Sequence, residues 1–164
     1  KHRMDQYFET DIRLENLPNN VQSTSSYDIF RRVIDAEDLN SFSDESFDRV
    51  IATCLLAHMK SPKKALNEWL RVLKPGGVLS LYLPLDPGLL LRAAQRLTVA
   101  RKASSLGLDY WSVHNMEHPY HFEYLFQCVA EESKGSQLRL DYFPLTPIKN
   151  FNLNLWSVAT IRKS

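Results

Sequence analysis

Acidic, sulfur and imidazole side chains follow three predicted strands, at the point where each strand ends. Asp11 ends the first strand, Asp35 follows the second, and Cys54 and His58 come just after the third. In an open parallel sheet, ligands bind beyond the carboxyl ends of the strands. A carboxylate at that edge accepts hydrogen bonds from hydroxyl or amino groups, and an imidazole can take up a proton. These residues therefore predict a small-molecule site along one edge of a sheet.

A second group of chemically active side chains lies further along the chain. Three histidines and one carboxylate fall within a stretch of eight residues: His114, Glu117, His118 and His121. A metal site needs such ligands to converge in a fixed geometry. Because Pro119 breaks the helix that would align them, we predict no metal site here. The segment is expected to be a loop entering a helix, with its aromatic residues either packing it onto the sheet or lining a substrate pocket.

The elements that position the first group are short strands and one well-marked helix. Strands are predicted over residues 6–14, 30–34, 47–53 and 78–83, the third of them apolar enough to be buried on both faces. Ser61 followed by Pro62 predicts a helix start. Apolar residues three and four apart form its buried face: Ala65, Leu66, Trp69, Leu70 and Leu73. Pro75-Gly76-Gly77 predicts its end, and a strand follows at once, which favours a parallel crossover and an α/β fold.

The second half of the chain reads as helices followed by two strands. Helices are predicted over residues 89–105 and 122–133, and alternating residues predict strands over 137–143 and 153–161. A loop with two prolines joins these strands, which predicts an antiparallel hairpin at the edge of the sheet. Asp86 either shapes a turn or orients a substrate. The basic residues of the helix predicted over residues 89–105 form either a solvated face or a contact with an anionic substrate or membrane surface.

Composition excludes several classes of protein. A length of 164 residues suits a single domain over residues 1–164 with a substantial core. The net charge of +1 gives no electrostatic reason to expect nucleic acid as a partner. No apolar run is long enough to span a membrane and no secretory signal is visible. Cys54 and Cys128 lie far apart, which fits two thiols in a reducing compartment, so we expect a cytoplasmic protein without an integral membrane segment.

Three local patterns occur in order between about residues 30 and 83. The first is an acidic strand end followed by a small residue, Asp35-Ala36-Glu37-Asp38-Leu39. The second is SFDRVIA, residues 46–52, running on to His58. The third is Glu68-x-x-Arg71-Val72-Leu73-Lys74-Pro75-Gly76-Gly77 before a hydrophobic strand. In this order and at this spacing they resemble the class I S-adenosylmethionine-dependent methyltransferases, in particular the type 11 group.

The resemblance implies a fold and a cofactor. The fold is α/β, a Rossmann-like, doubly wound and mostly parallel sheet with a C-terminal antiparallel edge hairpin. The cofactor is S-adenosyl-L-methionine. The resemblance places Asp11 at the ribose hydroxyls and Asp35 at the adenine amino group, with the backbone N–H of Ala36 or Glu37 facing a ring nitrogen. For each acidic residue the alternative is a helix cap or a solvated loop end.

The same resemblance assigns roles after the third strand. Cys54 and Leu55 would pass close to the methionine part of the cofactor. A histidine is common in the family at the position of His58, which is therefore the candidate catalytic residue, as a general base that touches the acceptor proton. The alternative for His58 is capping or packing.

One feature of the family is missing from the sequence. No glycine precedes Gly76, whereas the family has a strand and a glycine-rich turn about 20 residues before the ribose-binding acid. Glycine is needed there because the backbone approaches the ligand closely at positive φ. We expect the fold to be incomplete at its N-terminus, with this turn lying upstream, and the chain alone to bind the cofactor poorly. Exposed strand edges beside Asp11 would then favour a homodimer or aggregation.

The function implied by the resemblance is methyl transfer to a small-molecule acceptor, in which the protein mainly aligns donor and acceptor. The alternative is a degenerate methyltransferase fold that serves as a non-catalytic interaction module, because the glycine turn is missing. A nucleotide-dependent oxidoreductase is a weaker third hypothesis, since it would need its own glycine fingerprint. Acceptor specificity is expected to come from residues 84–122.

Overall fold

The structure is a computed structural model that describes residues 6–11 and 28–164. Its strands are β1 (Gln6–Asp11), β2 (Asp28–Val33), β3 (Phe47–Thr53), β4 (Leu73–Pro84), β5 (Gln137–Phe143) and β6 (Trp156–Arg162). Its α-helices are α1 (Pro62–Val72), α2 (Leu89–Leu97), α3 (Val99–Ser105), α4 (Tyr110–Glu117) and α5 (Phe122–Glu132). Short 3-10 turns cover Leu56–His58 and Phe151–Leu153.

The strands form one parallel pair and one mixed sheet. β1 pairs with β2 in parallel, and the second sheet has the order β3-β4-β6-β5. β3 and β4 are parallel and connected through α1, whereas β6 runs antiparallel to both β4 and β5. This confirms the α/β architecture, the parallel crossover and the C-terminal antiparallel hairpin.

The core lies between the mixed sheet and two helices, α1 and α5. These helices contact each other and both contact β4. Their apolar faces follow the helical period, and β4 alternates buried and half-buried residues along its length. The fully buried side chains of this core include Leu66, Val72, Leu79, Leu81, Leu83, Leu125 and Val129. The layer they form fixes the carboxyl ends of β3 and β4 at one edge of the sheet.

The prediction that β3 is buried on both faces was wrong. Ala52 is buried, but the side chain of Ile51, on the opposite face, is 56% exposed. The core helices α1 and α5 contact each other and β4. Among the described residues, 6–11 and 28–164, the side chain of Ile51 is left largely exposed on the other face of β3. An apolar run therefore indicated a strand correctly but not how completely that strand is covered.

Two predicted helices also differ from the structure. α1 ends at Val72 rather than at Pro75-Gly76-Gly77, because Leu73 already pairs with Phe47 as the first residue of β4. The single helix predicted over residues 89–105 is two helices, broken at Thr98 with φ −114° and ψ −91°. The Thr98 hydroxyl donates to the carbonyl of Ala94 at 2.6 Å, a local bond that competes with continuing the helix.

The segment predicted as a loop before α5 is the helix α4. It begins where the Asp109 carboxylate accepts hydrogen bonds from the N–H groups of Trp111 and Ser112, at 3.1 and 3.3 Å. Pro119 lies beyond its last residue, so the proline ends this helix instead of preventing it. The interpretation as a loop was therefore wrong, and His114 and His118 lie one helical turn apart.

The remaining predictions concern the N-terminal part. β1 agrees with the predicted strand as far as Asp11, and residues 12–14 lie outside the described residues. β2 starts two residues earlier than predicted, at Asp28, and ends at Val33. The loop predicted between residues 16 and 26 also lies outside the described residues. Among the residues that the structure describes, no helix is both long and apolar enough to cross a bilayer.

Candidate functional site

The loops that follow β2 and β3 are joined by hydrogen bonds at the carboxyl edge. The Glu37 carboxylate accepts the N–H groups of Lys60 and Ser61 at 2.5 and 3.1 Å. The Tyr120 hydroxyl, just before α5, donates to the carbonyl of Lys60 at 3.0 Å. The Ser61 side chain does not cap α1. The Glu37 carboxylate instead accepts hydrogen bonds from the backbone N–H groups at the start of this helix. This occupies the Glu37 side chain and ties three segments together.

The loop after β2 holds Asp35 in a fixed position. The Asp35 carboxylate accepts the N–H of Glu37 at 2.9 Å and remains exposed. The indole N–H of Trp69, on α1, donates to the carbonyl of Ala36 at 3.0 Å. The sequence predicted that the N–H of Ala36 or Glu37 faces a ligand. Because the N–H of Glu37 is taken by Asp35, Ala36 is the better candidate.

α1 fixes this loop further through Glu68 and Arg71, the charged pair of the third sequence pattern. Glu68 accepts the N–H of Leu39 at 2.9 Å and pairs with the Arg71 guanidinium, also at 2.9 Å. Arg71 also donates to the carbonyls of Leu39 and Phe42 at 3.0 and 3.1 Å and to the Asp44 carboxylate at 2.5 Å. The hydrogen bonds from Arg71 are the first cause of a lowered pKa at Glu68. The pair therefore has a structural role, which is to hold the chain between β2 and β3.

Asp11 and Asp35 lie at the same edge of the parallel pair. Asp11 is opposite Val33 in the register of β1 and β2, and its carbonyl accepts the N–H of Ile34 at 2.9 Å. Both strands therefore end side by side, with one carboxylate after each. The structure brings together the two acids that the sequence assigned to the nucleoside end of a ligand.

Cys54 turns the chain sharply after β3. Its φ is +53°, in the left-handed region that non-glycine residues seldom adopt. Burial raises the pKa of its thiol, so the thiol stays protonated at neutral pH. The carbonyl of Leu55 then accepts the N–H of His58 at 3.0 Å and closes the 3-10 turn. Cys54, Leu55 and His58 are thereby held at the carboxyl edge of β3.

The histidines of α4 meet His58 at this edge. The ring centroids of His58 and His118 are 4.3 Å apart, and those of His118 and His114 are 4.5 Å apart. Nδ1 of His118 lies 3.2 Å from the carbonyl oxygen of His114. The first pair is tilted at 55° and the second is stacked at 24°. We name these three imidazoles, which link α4 to the end of β3, the imidazole stack.

Asp86, just after β4, is the buried anchor of this stack. Its carboxylate is 2.9 Å from Nε of Arg92, 3.6 Å from Nε2 of His114 and 3.4 Å from Nδ1 of His121. Arg92 in turn lies over the ring of Trp111, 4.7 Å from its centroid. Asp86 therefore orients charged and aromatic groups from three segments. Asp86 also lies in the turn between β4 and α2, where the N–H of Gly88 donates to the carbonyl of Leu85 at 2.6 Å, as one of its two predicted roles requires. Orientation of a substrate by Asp86 stays a prediction.

Arg92 and Trp111, together with Ala93 and Arg96, line an open cavity of about 410 Å³. We name this the arginine cavity. Within the described part of the chain, no three histidine, cysteine or acidic side chains are placed to hold a metal ion. Sequence reasoning missed His118 as the neighbour of His58 and Asp86 as the partner of His114. The i, i+4 spacing of His114 and His118 was the available signal, but it carries information only if the segment is a helix.

Residues 2–81, just under half of the chain, match a family model described as a methyltransferase domain. Over these residues the chain is similar to the class I S-adenosylmethionine-dependent methyltransferases. The similarity agrees with the strand order and with the three sequence patterns.

The similar proteins include curated and structurally solved relatives. The human thiol S-methyltransferase TMT1B is 47% identical over 50 residues, which is 30% of this chain and 20% of that protein. The match therefore spans about a fifth of the curated relative's length. A SAM-dependent methyltransferase from Archaeoglobus fulgidus superposes with a TM-score of 0.60 at 13% identity, covering 95% of this chain and 75% of that one. One from Methanosarcina mazei gives 0.53 at 18% identity, covering 96% and 82%. At these identities the structures support the fold.

The residues at the carboxyl edge fit the nucleoside end of S-adenosylmethionine. Two carboxylates, Asp11 and Asp35, stand at neighbouring strand ends, and the N–H of Ala36 has no hydrogen-bond partner among the described residues. Carboxylates suit the hydroxyl and amino donors of a nucleoside, and a backbone N–H suits a ring nitrogen. For the methionine part of the cofactor, the given sequence offers the turn at Cys54 and Leu55 and contains no glycine turn.

Proposed function

We propose that the protein transfers the methyl group of S-adenosylmethionine to the sulfur of a small-molecule thiol. The observation that carries methyl transfer is the convergence of the loops after β2, β3 and β4 at one edge, in a chain similar to this family. The thiol as acceptor rests on the similarity to a thiol S-methyltransferase over 50 residues.

In this proposal each strand end has a distinct task. Asp11 accepts hydrogen bonds from the ribose hydroxyls and Asp35 from the adenine amino group, while the N–H of Ala36 faces a ring nitrogen. Cys54 and Leu55 form the wall beside the methionine part. Bound S-adenosylmethionine supplies an electrophilic methyl carbon, and the protein holds the acceptor in line with it.

The acceptor is expected to enter from the side of the arginine cavity. Arg92 is held there between Asp86 and Trp111, while Arg96 is exposed. Both cations lie within the segment 84–122 that the sequence assigned to acceptor specificity. An anionic group on the acceptor, such as a carboxylate, would pair with them.

Calorimetric titration of the intact protein with S-adenosylmethionine tests the first part of this proposal. The expected result is saturable binding to one site. Methylation of an alkyl thiol, compared with the corresponding alcohol and amine, then tests the acceptor class. Methylation of the alcohol or the amine in preference to the thiol would overturn the acceptor assignment, and absence of cofactor binding would overturn the methyltransferase proposal.

The second candidate function is a non-catalytic interaction module on the same fold. It is supported by the Glu68–Arg71 contacts, which fix the loop after β2 without a ligand. The discriminating result is an intact protein that unfolds cooperatively yet shows no heat of binding with S-adenosylmethionine. Such a protein would keep the Glu68–Arg71 contacts, which are structural, without using Asp11 or Asp35 for a ligand.

A further inference from the structure

We propose that His118 is the general base that removes the acceptor's proton, and that His58 and His114 position its ring. The proposal rests on the proposed methyl transfer to a thiol. It changes the assignment made from the sequence, in which His58 was the candidate catalytic residue.

The hydrogen bond of His118 fixes which of its nitrogens can act. Nδ1 lies 3.2 Å from the carbonyl oxygen of His114, and a carbonyl oxygen can only accept. Nδ1 therefore carries the proton, and Nε2 carries the lone pair of the neutral ring. Among the described residues the His118 side chain makes its hydrogen bond through Nδ1 and none through Nε2, and it is half-buried rather than sealed. A base with one nitrogen fixed and the other free is oriented for a single substrate proton.

Two imidazoles contact the His118 ring. His114 stacks on it, with centroids 4.5 Å apart and an interplanar angle of 24°, and His58 lies 4.3 Å away, tilted by 55°. His114 is itself buried and faces the Asp86 carboxylate at 3.6 Å. The His118 ring thus has little freedom to rotate, as a positioned base requires.

The protonation state of His118 also suits a base. Burial is the first cause that lowers its pKa, and the neighbouring His58 and His114 lower it further, while the bond to the His114 carbonyl and the Asp86 charge act in the opposite direction. The ring is therefore neutral at pH 7, which is the form that accepts a proton. The titratable and charged groups that share this site come from five segments: His58, Asp86, Arg92, His114 and His121.

His58 is less suited to the same task. Its side chain is exposed, and among the described residues neither ring nitrogen makes a hydrogen bond that would fix its tautomer. Its contact with His118 is a ring contact, which positions the neighbour but transfers no proton along a hydrogen bond.

An alkyl thiol needs a base at neutral pH because the thiolate is the nucleophile and the free thiol is mostly protonated. In the step, the proton leaves the acceptor sulfur for Nε2 of His118. The electron pair of that sulfur forms the bond to the methyl carbon. The pair of the donor's carbon–sulfur bond stays on the departing sulfur, which becomes a neutral thioether. The imidazolium then returns its proton to water, so charge and atoms balance.

The activity test uses the intact protein, His118→Gln and two acceptors of different acidity. With an alkyl thiol, kcat/KM is expected to fall by about 100-fold, the usual size of a general-base effect. With an aryl thiol already ionised at neutral pH, the fall is expected to be less than about threefold, because no proton remains to be removed. The alkyl-thiol defect should also shrink as the pH rises. Asn115→Ala, exposed on the same helix, is the matched control and should leave both rates unchanged.

The second measurement does not depend on activity. Imidazole ¹⁵N shifts of labelled intact protein should show His118 with Nδ1 protonated and with a pKa below that of an unperturbed histidine. His58→Gln should move that pKa upward, because one source of positive charge is removed.

Each outcome decides a separate point. Equal losses with both thiols, or a His118 proton on Nε2, would overturn the base assignment while methyl transfer stands. Lack of binding of S-adenosylmethionine in calorimetry would overturn the proposed function itself, and the assignment of the base with it.

Discussion

A backbone hydrogen bond within its own loop fixes the Asp35 side chain. The Asp35 carboxylate accepts the N–H of Glu37 at 2.9 Å. Asp35 itself stays exposed. A carboxylate has about four acceptor sites, so this bond leaves capacity for a donor from outside. The Trp69 bond to Ala36 holds the adjoining peptide. Little ordering remains to be done when a ligand binds, which favours affinity.

Asp35→Asn is therefore expected to weaken binding of S-adenosylmethionine by about tenfold or more. The amide keeps one oxygen for the Glu37 N–H, but the charge that strengthens the hydrogen bond to the adenine amino group is lost, at a cost of about 1.5–3 kcal/mol. Calorimetric titration measures the change in Kd. Asp38→Asn is the matched control, because Asp38 makes the same kind of bond to the N–H of Asn40 in the same loop. Equal affinities for the Asp35 variant and the wild type would contradict the assignment.

At the scale of elements, side chains of α1 fix the connection between β2 and β3. Its Glu68 and Arg71 reach Leu39, Phe42 and Asp44, all in the connection that carries Asp35 at its other end. The guanidinium uses both its charge and its planar set of donors. The position of the loop that carries Asp35 thus depends on contacts made by α1.

Arg71→Lys is expected to lower the free energy of unfolding by about 1.5–3 kcal/mol. Lysine cannot make the paired contact with Glu68 and reach two carbonyls at once, so charged hydrogen bonds are lost. Urea unfolding of the intact protein measures the change. Arg139→Lys is the matched control, since Arg139 is exposed and its ion pair among the described residues is with Asp141 on the same strand; we expect a change of less than about 0.5 kcal/mol.

The Arg71 effect should depend on pH in a defined direction. The pKa of Glu68 in the folded protein is lowered, first by its hydrogen bond with Arg71. Its stabilisation is therefore complete above the unfolded pKa of about 4.3 and is lost as the pH falls through the folded value. The difference between wild type and Arg71→Lys should shrink in acid. A difference that stays constant from pH 7 to acid would show that packing, rather than the ion pair, sets the cost.

The sequence predicted elements well where the signal is local. β3, β5 and α5 have the predicted starts, and the strand ends that carry Asp11, Asp35 and Cys54 lie at a common edge. It failed where tertiary contacts decide. Leu73 leaves the helical pattern because it pairs with Phe47, and α4 forms because Asp109 caps it. The imidazole stack was out of reach, since it needs both that helix and its docking against the end of β3.

At the scale of the whole molecule, the sheet is covered unequally. The core helices α1 and α5 contact each other and β4, while Val33 and Ile51 are 50% and 56% exposed on their strands. Within the described ranges, β1 pairs only with β2 and β3 only with β4, so each has one edge outside a ladder. Exposed apolar surface beside unpaired strand edges favours association with another chain.

We therefore expect the 164-residue chain to associate as its concentration rises, through β1 and β3. Light scattering across a concentration series should report an increasing average mass. Ile51→Lys places a charge on the uncovered face of β3 and should reduce association, because the charge must be desolvated when another chain covers it. Leu106→Lys is the matched control, since Leu106 is also exposed but lies beyond α3, away from the strands. A monomeric mass at every concentration would contradict the prediction, and an equal effect of both variants would exclude β3 as the surface of contact.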